Sequence, residues 1–417
     1  MQEKKLLRSI YVFLAILLCM AFSVSIVIYP AISLSVPSYI MVYLAAPFFL
    51  WLSYTRDREF FRELMIIVTV FSCLNILAQL HVWMYDVSLD PSLTLTDRGD
   101  IERTLLRPTL FGQSIYLFAG VLTYLYLKYY ARREHIRYLY IGLRIIVLLG
   151  FVEVILFQLT GENGDLLSNR TFNNKPGSGS LFQTITLSGL RLQRLKSLTG
   201  EPSMFAFSVI PFWILCIPLK RYLDFMLLGI ALILTFSTSA YLGIIIFVLG
   251  AALVDQGLRK ILFWIVPAGA VALLILYLVS PAIQKVIHSV FIDKFTGSNE
   301  SGSERSGHFL NQYTFWKEHL SLPGKLLGLG WGYVRSTDFF STLLVNNGLL
   351  GLVGFTVFYF RHGFIRLKDT LFGKYYLIAL FAVFLIMMGS VPEFAYLSLW
   401  VFLSIPYWIE REEAQQD

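Results

Sequence analysis

The sequence predicts an all-α polytopic membrane protein with about twelve transmembrane helices and two large loops on the non-cytoplasmic side. Three observations lead there. The 417-residue chain is 56% hydrophobic and only 15% charged, whereas soluble domains carry about a quarter charged residues. The apolar residues gather into runs close to the roughly 20 residues a helix needs to cross a hydrocarbon core. Lys and Arg recur in alternate connections, as the positive-inside rule requires.

The first run starts basic (Met1-Gln-Glu-Lys-Lys) and stays apolar to Tyr29. That is longer than the about 7–15 apolar residues of a cleaved signal peptide, so 8–29 reads as a retained first span. The following spans are expected at 37–54, 62–84, 108–130, 138–159, 203–219 and 222–236. The remainder are expected at 240–255, 261–279, 340–360, 374–391 and 394–409. Only Ser237-Thr238-Ser239 separates 222–236 from 240–255, which fits either a hairpin or a broken helix.

With the N-terminus in the cytoplasm, the inner connections hold Arg56, Arg58, Arg62, Lys128, Arg132, Arg133 and Arg137. They continue with Lys220, Arg221, Arg259, Lys260, Arg361, Arg366, Lys368 and Lys374. The short outer connections 30–36, 237–239 and 389–393 hold no Lys or Arg. Both termini are then cytoplasmic. The formal net charge of +7 follows from these inner loops and does not call for nucleic acid. Cys19, Cys73 and Cys216 all lie in apolar runs and read as small hydrophobes.

Residues 1–417 read as a single integral membrane domain. Three outer segments are long: 85–107, 160–202 and 280–339, the last partly helical. Loops of this length are usually functional or disordered. In the second, Arg191, Arg194 and Lys196 alternate with leucines. If helical, the segment places Arg191 and Arg194 on one face and rests in the interface. A basic amphipathic segment of this kind also suits anionic lipid. Glu201-Pro202-Ser203 follows. Pro202 fits a first helical turn, and a Glu beside it is favoured by the helix dipole. The same carboxylate also suits a base or an acceptor-sugar ligand.

In the third loop Phe309, Tyr313, Trp316 and Leu320 share one helical face. Arg305 and His308 stand near its start, where a cation and free backbone N–H groups can hold phosphate. Snorkelling interfacial charges give the same pattern. His288, His308 and His319 are too scattered for a metal site. Gly328, Gly330 and Gly332 flank Trp331 without the Lys-Ser/Thr of a phosphate-binding loop. They fit a flexible loop entering the membrane or close packing through small residues. Within the spans, Arg144 and Glu153 stand out, because intramembrane charge is costly. Roughly 13 Å of helix separates them, too far for a direct pair.

Three stretches resemble the O-antigen polymerase/ligase superfamily of bacterial envelope glycosyltransferases, and Wzy-type polysaccharide polymerases in particular. They are Arg191-Leu-Gln-Arg-Leu-Lys-Ser-Leu-Thr-Gly-Glu-Pro-Ser-Met-Phe-Ala206, Leu234-Thr-Phe-Ser-Thr-Ser-Ala-Tyr-Leu-Gly243, and the run from Arg305 through Leu327-Gly-Leu-Gly-Trp-Gly332 to Asn347-Gly-Leu-Leu-Gly351. The resemblance spans roughly 190–355. It departs from the family at Ala240, where members often carry Arg.

The resemblance implies a GT-C-like membrane glycosyltransferase whose loops 160–202 and 280–339 cap the active site. It implies undecaprenyl-diphosphate-linked glycans as substrates, no cofactor or metal, a chain-length regulator protein as a partner beside membrane lipids, and a bacterial inner-membrane location. Polymerisation of repeat units is the expected activity; ligation of finished glycan to lipid A–core is the alternative. Glu201, Arg191, Arg305 and His308 are then the candidate catalytic residues. Arg194, Lys196, Ser203, Tyr313, Trp331 and Asp338 are the candidate diphosphate- or glycan-binding residues. Loops 160–180 and 290–305 would admit and release the glycan. The competing class is a flippase or secondary carrier, although carriers usually show paired halves and no internal repeat is evident.

Overall fold

Each expected span overlaps a helix, the first only as far as Met20, and 74% of the described structure is helical. The computed structural model describes residues 2–30, 32–97, 101–170, 183–187, 190–281, 283–284 and 300–416. In chain order the helices are α1 (Gln2–Met20), α2 (Pro37–Arg56), α3 (Arg58–Met84), α4 (Pro108–Tyr130) and α5 (Ile136–Thr160). A two-stranded hairpin follows, β1 (Thr184–Leu187) and β2 (Leu190–Gln193). Then come α6 (Pro202–Leu215), α7 (Tyr222–Leu234), α8 (Thr238–Val254), α9 (Gln256–Val279) and α10 (Glu300–Thr314). Beyond a π turn at Phe315–His319 lie α11 (Leu322–Leu327), α12 (Phe339–Phe360), α13 (Leu371–Gly389) and α14 (Leu397–Gln416).

Among the described residues, 7 helical spans are long and apolar enough to cross a membrane: α2, α3, α4, Arg133–Thr160, α9, Phe339–Gly363 and α13. Leu6–Met20, α6, α7 and α8 are apolar but shorter. The molecule is thus a helical membrane-embedded protein. Its centre is α6, apolar on all sides and buried along nearly its whole length, as a helix surrounded by other helices must be. It packs against α7, α8, α13 and α14, while α14 also packs on α4 and α1 packs on α5. α9 is exposed along its length and joins the bundle through α8.

The basic connections gather at one end of the bundle. Glu63 on α3 accepts from Lys128 at the end of α4 (2.6 Å) and from Arg361 beyond α12 (2.5 Å). Arg411 donates to the carbonyls of Lys128 and Ala131. At that end too, Tyr375 on α13 donates to Asp255 beyond α8 (3.2 Å). Since α7 begins beside Arg221 and α8 ends at Asp255, the two form a hairpin rather than a broken helix.

The first run departs from expectation. α1 stops at Met20, and the apolar residues after it are irregular yet buried, among them Phe22, Val24 and Val27. Their backbone is satisfied by protein: the Val24 and Ser25 N–H groups both donate to Leu198 O at 2.9 Å, and Val27 N–H donates to Asn169 Oδ1 at 2.7 Å. Non-helical backbone is tolerated at such depth only when protein supplies its partners. Hydropathy registers the apolar side chains and is blind to that exchange.

Candidate functional site

The segment from Arg191 to Glu201 is not the amphipathic helix that its Arg/Leu pattern suggests. Leu190–Gln193 is the second strand of the hairpin, with Arg191 opposite Thr186. A strand alternates its side chains across two faces, so Arg191 and Arg194 part company. Arg191 is exposed, donates to Thr184 Oγ1 (3.1 Å) and lies over the Phe157 ring. Arg194 turns inward. Its Nε donates to Thr235 O (3.0 Å), its terminal nitrogen donates to Gln183 Oε1, and Leu195 N–H donates to Leu234 O (3.0 Å). The Ser-rich turn between α7 and α8 therefore fixes Arg194.

Lys196 is not a free cation either. It is completely buried, 2.5 Å from Asp165 and 3.9 Å from Glu153, both also buried. Glu153 accepts the Ser197 N–H as well (3.1 Å). This triad clamps the chain onto α5 as it turns through Ser197 and Gly200, both at positive φ. Glu201 follows in extended conformation, with Pro202 at the start of α6.

The Glu201 carboxylate does not cap α6. Instead Ser203 Oγ–H donates to Glu201 Oε2 at 3.0 Å. Burial pushes the Glu201 carboxyl above its ordinary range. The Ser203 bond opposes this, the negative charge of Glu393 adds to it, and the positive charges of Arg305 and Arg335 oppose it. Arg194 feels the same surroundings: burial pushes it down to about 10, countered by Glu201 and reinforced by Arg305. Glu393, Arg194, Arg305 and Arg335 therefore each lie within electrostatic reach of Glu201.

Arg335 and Glu393 carry no recognised motif. They form an ion pair joining the loop before α12 to the turn between α13 and α14. Glu393 is 4% accessible and Arg335 is 46% accessible. A buried carboxylate thus anchors an arginine whose side chain stays accessible. Glu393 raises the Arg335 guanidinium further above its already high range. The signal available in the sequence was an acid in the short outer turn Gly389–Glu393, next to a proline.

Polar residues on spans hold the Arg335 loop. The Trp331 N–H donates to Asn75 Oδ1 (2.7 Å), and Gln79 Nε2 donates to Leu329 O (2.6 Å). Asn346 exchanges two bonds of 2.9 Å with the Val334 backbone. Arg335 N–H donates to Thr94 O (3.0 Å), bringing in the 85–107 loop. Gly328 and Gly348 both have positive φ, and a Cβ on either would meet facing backbone atoms at 2.4 Å. The Gly-rich run is a packed support.

The remaining candidates fall elsewhere. Asp338 is a buried cap for α12, accepting from Ser341 N–H (2.7 Å) and Ser336 Oγ–H (2.9 Å). Trp331 is buried, with its ring edge-on to Phe394 at 4.5 Å between centroids. Tyr313 stacks on Phe309 at 6.0 Å, with Trp316 at 5.8 Å, so that aromatic face forms as expected. His308 is half-buried on α10, and its Nδ1 has no hydrogen-bond partner among the described residues. His288, and residues 171–180 and 290–299 of the segments 160–180 and 290–305 expected to admit glycan, lie outside the described residues. No group of three or more potential ligands for a metal occurs among the described residues.

The intramembrane charges pair with different partners. Arg144 Nε and Nη2 donate to the two oxygens of buried Asp224 on α7 at 2.6 and 3.1 Å, and Arg221 reaches the same carboxylate at 2.7 Å. Glu153 serves the Lys196 clamp.

These features define a helical membrane protein with arginines within electrostatic reach of a half-buried carboxylate, Glu201. Neither a family model nor a curated protein sequence matches this chain.

Proposed function

We propose that this protein is a membrane glycosyltransferase of the O-antigen polymerase/ligase type, which polymerises undecaprenyl-diphosphate-linked repeat units into a surface polysaccharide. The observation that carries the reading is that Arg194, Arg305 and Arg335 each lie within electrostatic reach of Glu201, with Arg335 held by its ion pair to Glu393 and Glu201 by its bond from Ser203. The cluster lies at the bundle end opposite the basic connections, which the positive-inside rule assigns to the non-cytoplasmic side.

The chemistry follows from the charges. An acceptor hydroxyl on one lipid-linked repeat unit attacks the anomeric carbon of the donor glycan. The bond from that carbon to the diphosphate oxygen breaks, and its electron pair stays on the diphosphate. Arginines suit this leaving group because they stay charged and grip phosphate oxygens in pairs. Their fixed placement stabilises charge that develops in the transition state. Glu201 takes the acceptor proton. A carboxylate raised by burial is a better base than an exposed one. Ser203 orients it, and Glu393 orients Arg335.

The deciding experiment incubates purified protein with a lipid-linked repeat unit. A ladder of longer glycans on the lipid carrier is expected. Transfer only to lipid A–core would make the protein a ligase. Translocation without new glycosidic bonds would make it a flippase and overturn the proposal. The structure offers the transport reading little, because Arg144 is held in a bidentate ion pair and Glu153 belongs to a buried clamp.

A further inference from the structure

A second cationic site lies at the opposite end of the bundle, outside anything the glycosyl-transfer reading uses. A cleft of about 280 Å³ opens between the start of α1 and the turn joining α4 to α5. Arg8 and Arg132 line it from the two sides, and both are exposed. Neither guanidinium pairs with a carboxylate among the described residues, whereas Lys128 and Arg361 close by are each held by Glu63. Arg132 is also within electrostatic reach of Arg411, so a third positive charge adds to the local field. Two unpaired arginines converging on a cleft call for an anion.

The cleft is not uniformly polar. Leu7 and Ile10 line its α1 side. From Arg8 two exposed apolar residues, Val12 and Ile16, follow at four-residue spacing along the same face of α1. That row is the surface a lipid tail would follow. Tyr130 also lines the cleft, and its hydroxyl has no hydrogen-bond partner among the described residues. The cleft walls are fixed: the buried His135 ring contacts Tyr11 O at 3.3 Å and the Arg132 backbone at 3.1 Å, and Arg137 donates to the Tyr11 hydroxyl at 3.0 Å.

We propose that the Arg8–Arg132 cleft binds the phosphate headgroup of an anionic phospholipid, with an acyl chain lying along Val12 and Ile16. Charge at the head and an apolar run leading away match an amphiphile rather than a free ion. Arginine suits the phosphate because its planar fork donates two bonds at once, and anionic leaflets attract such residues.

The test uses the full-length protein in detergent and native mass spectrometry. Wild type is expected to retain phosphatidylglycerol in preference to phosphatidylcholine. Arg8→Gln with Arg132→Gln is expected to weaken that capture by roughly 30-fold, from about 1 kcal/mol for each cation. Arg8→Lys with Arg132→Lys is expected to restore most of it. Undiminished capture by the glutamine pair overturns the site, and displacement of the lipid by inorganic phosphate overturns the assignment to lipid. If the glutamine pair fails to fold, Arg8→Gln alone, at an exposed helix position, carries the comparison. Glycan polymerisation is not the readout, so failure here leaves the proposed activity untouched.

Discussion

Arg335 and Glu393 meet in an ion pair between a guanidinium that stays half accessible and a carboxylate that is buried. Under the proposed function, truncating Arg335 takes away a guanidinium for the diphosphate, and it leaves Glu393 buried without its counter-charge. Arg335→Ala is expected to lower the rate of polymer formation by roughly 10²–10³-fold, the scale for losing one fixed donor to developing charge. Arg335→Lys is expected to recover only part of it, since an ammonium cannot bridge two oxygens. Polymer ladders normalised to membrane expression make the measurement. Wild-type ladders from Arg335→Ala would remove this residue from the site.

Glu201 is raised by burial, with Glu393 adding to the shift. A base must be ionised to act, so activity is expected to fall as pH drops through a value above the usual carboxylate pKa of about 4.3. Glu393→Gln removes the like charge and releases Arg335 from its partner. Both changes favour the ionised form of Glu201, so the acid limb of the pH–rate profile moves to lower pH. The purified protein assayed across pH tests this, and a limb that stays put or rises contradicts it. Glu201→Gln should abolish transfer at every pH while leaving expression intact.

Arg191 and Arg194 give a paired test of the hairpin. Arg194→Ala should abolish polymer, because this residue shares the surroundings of Glu201 and Arg305. Arg191→Ala should retain most activity, because its side chain lies against Thr184 and Phe157. Equal loss in both variants would favour a different arrangement of this loop during turnover.

Lys196→Met should act on stability. It leaves Asp165 and Glu153 buried without their cation, a loss on the order of 3–5 kcal/mol for a broken buried pair. A lowered melting temperature in detergent is expected. Adding Asp165→Asn should recover part of it, since one fewer buried carboxylate then lacks the Lys196 charge. A variant with unchanged melting and no activity would return Lys196 to the substrate.

Gly348→Ala should disturb the site from a distance. The residue sits at φ +62°, and a Cβ would come 2.4 Å from the Leu326 backbone. The displaced Gly328–Val334 support carries Arg335, so the turnover rate is expected to fall more than expression does. Comparing single-turnover rates with folded yield separates the two.

The sequence by itself determined that the chain is an all-helical, membrane-embedded protein and where most of its apolar helices fall. Those properties are local: a run of apolar residues has one way to satisfy its backbone in lipid. It also marked Arg194, Glu201, Ser203 and Arg305 for chemistry. Tertiary structure decided the rest. The Arg191–Lys196 pattern fits a helix or a strand equally well until Thr184–Leu187 pairs with it. Lys196 looks like a surface cation until Asp165 and Glu153 close on it from other parts of the chain. Asp338 looks like a ligand until it caps α12. Glu393 and Arg335 carry no local signature, and they became a pair only because α12, α13 and α14 bring their connecting turns to the same end. Electrostatic partnership depends on distance in space, and residues far apart in sequence acquire it only when the helices pack.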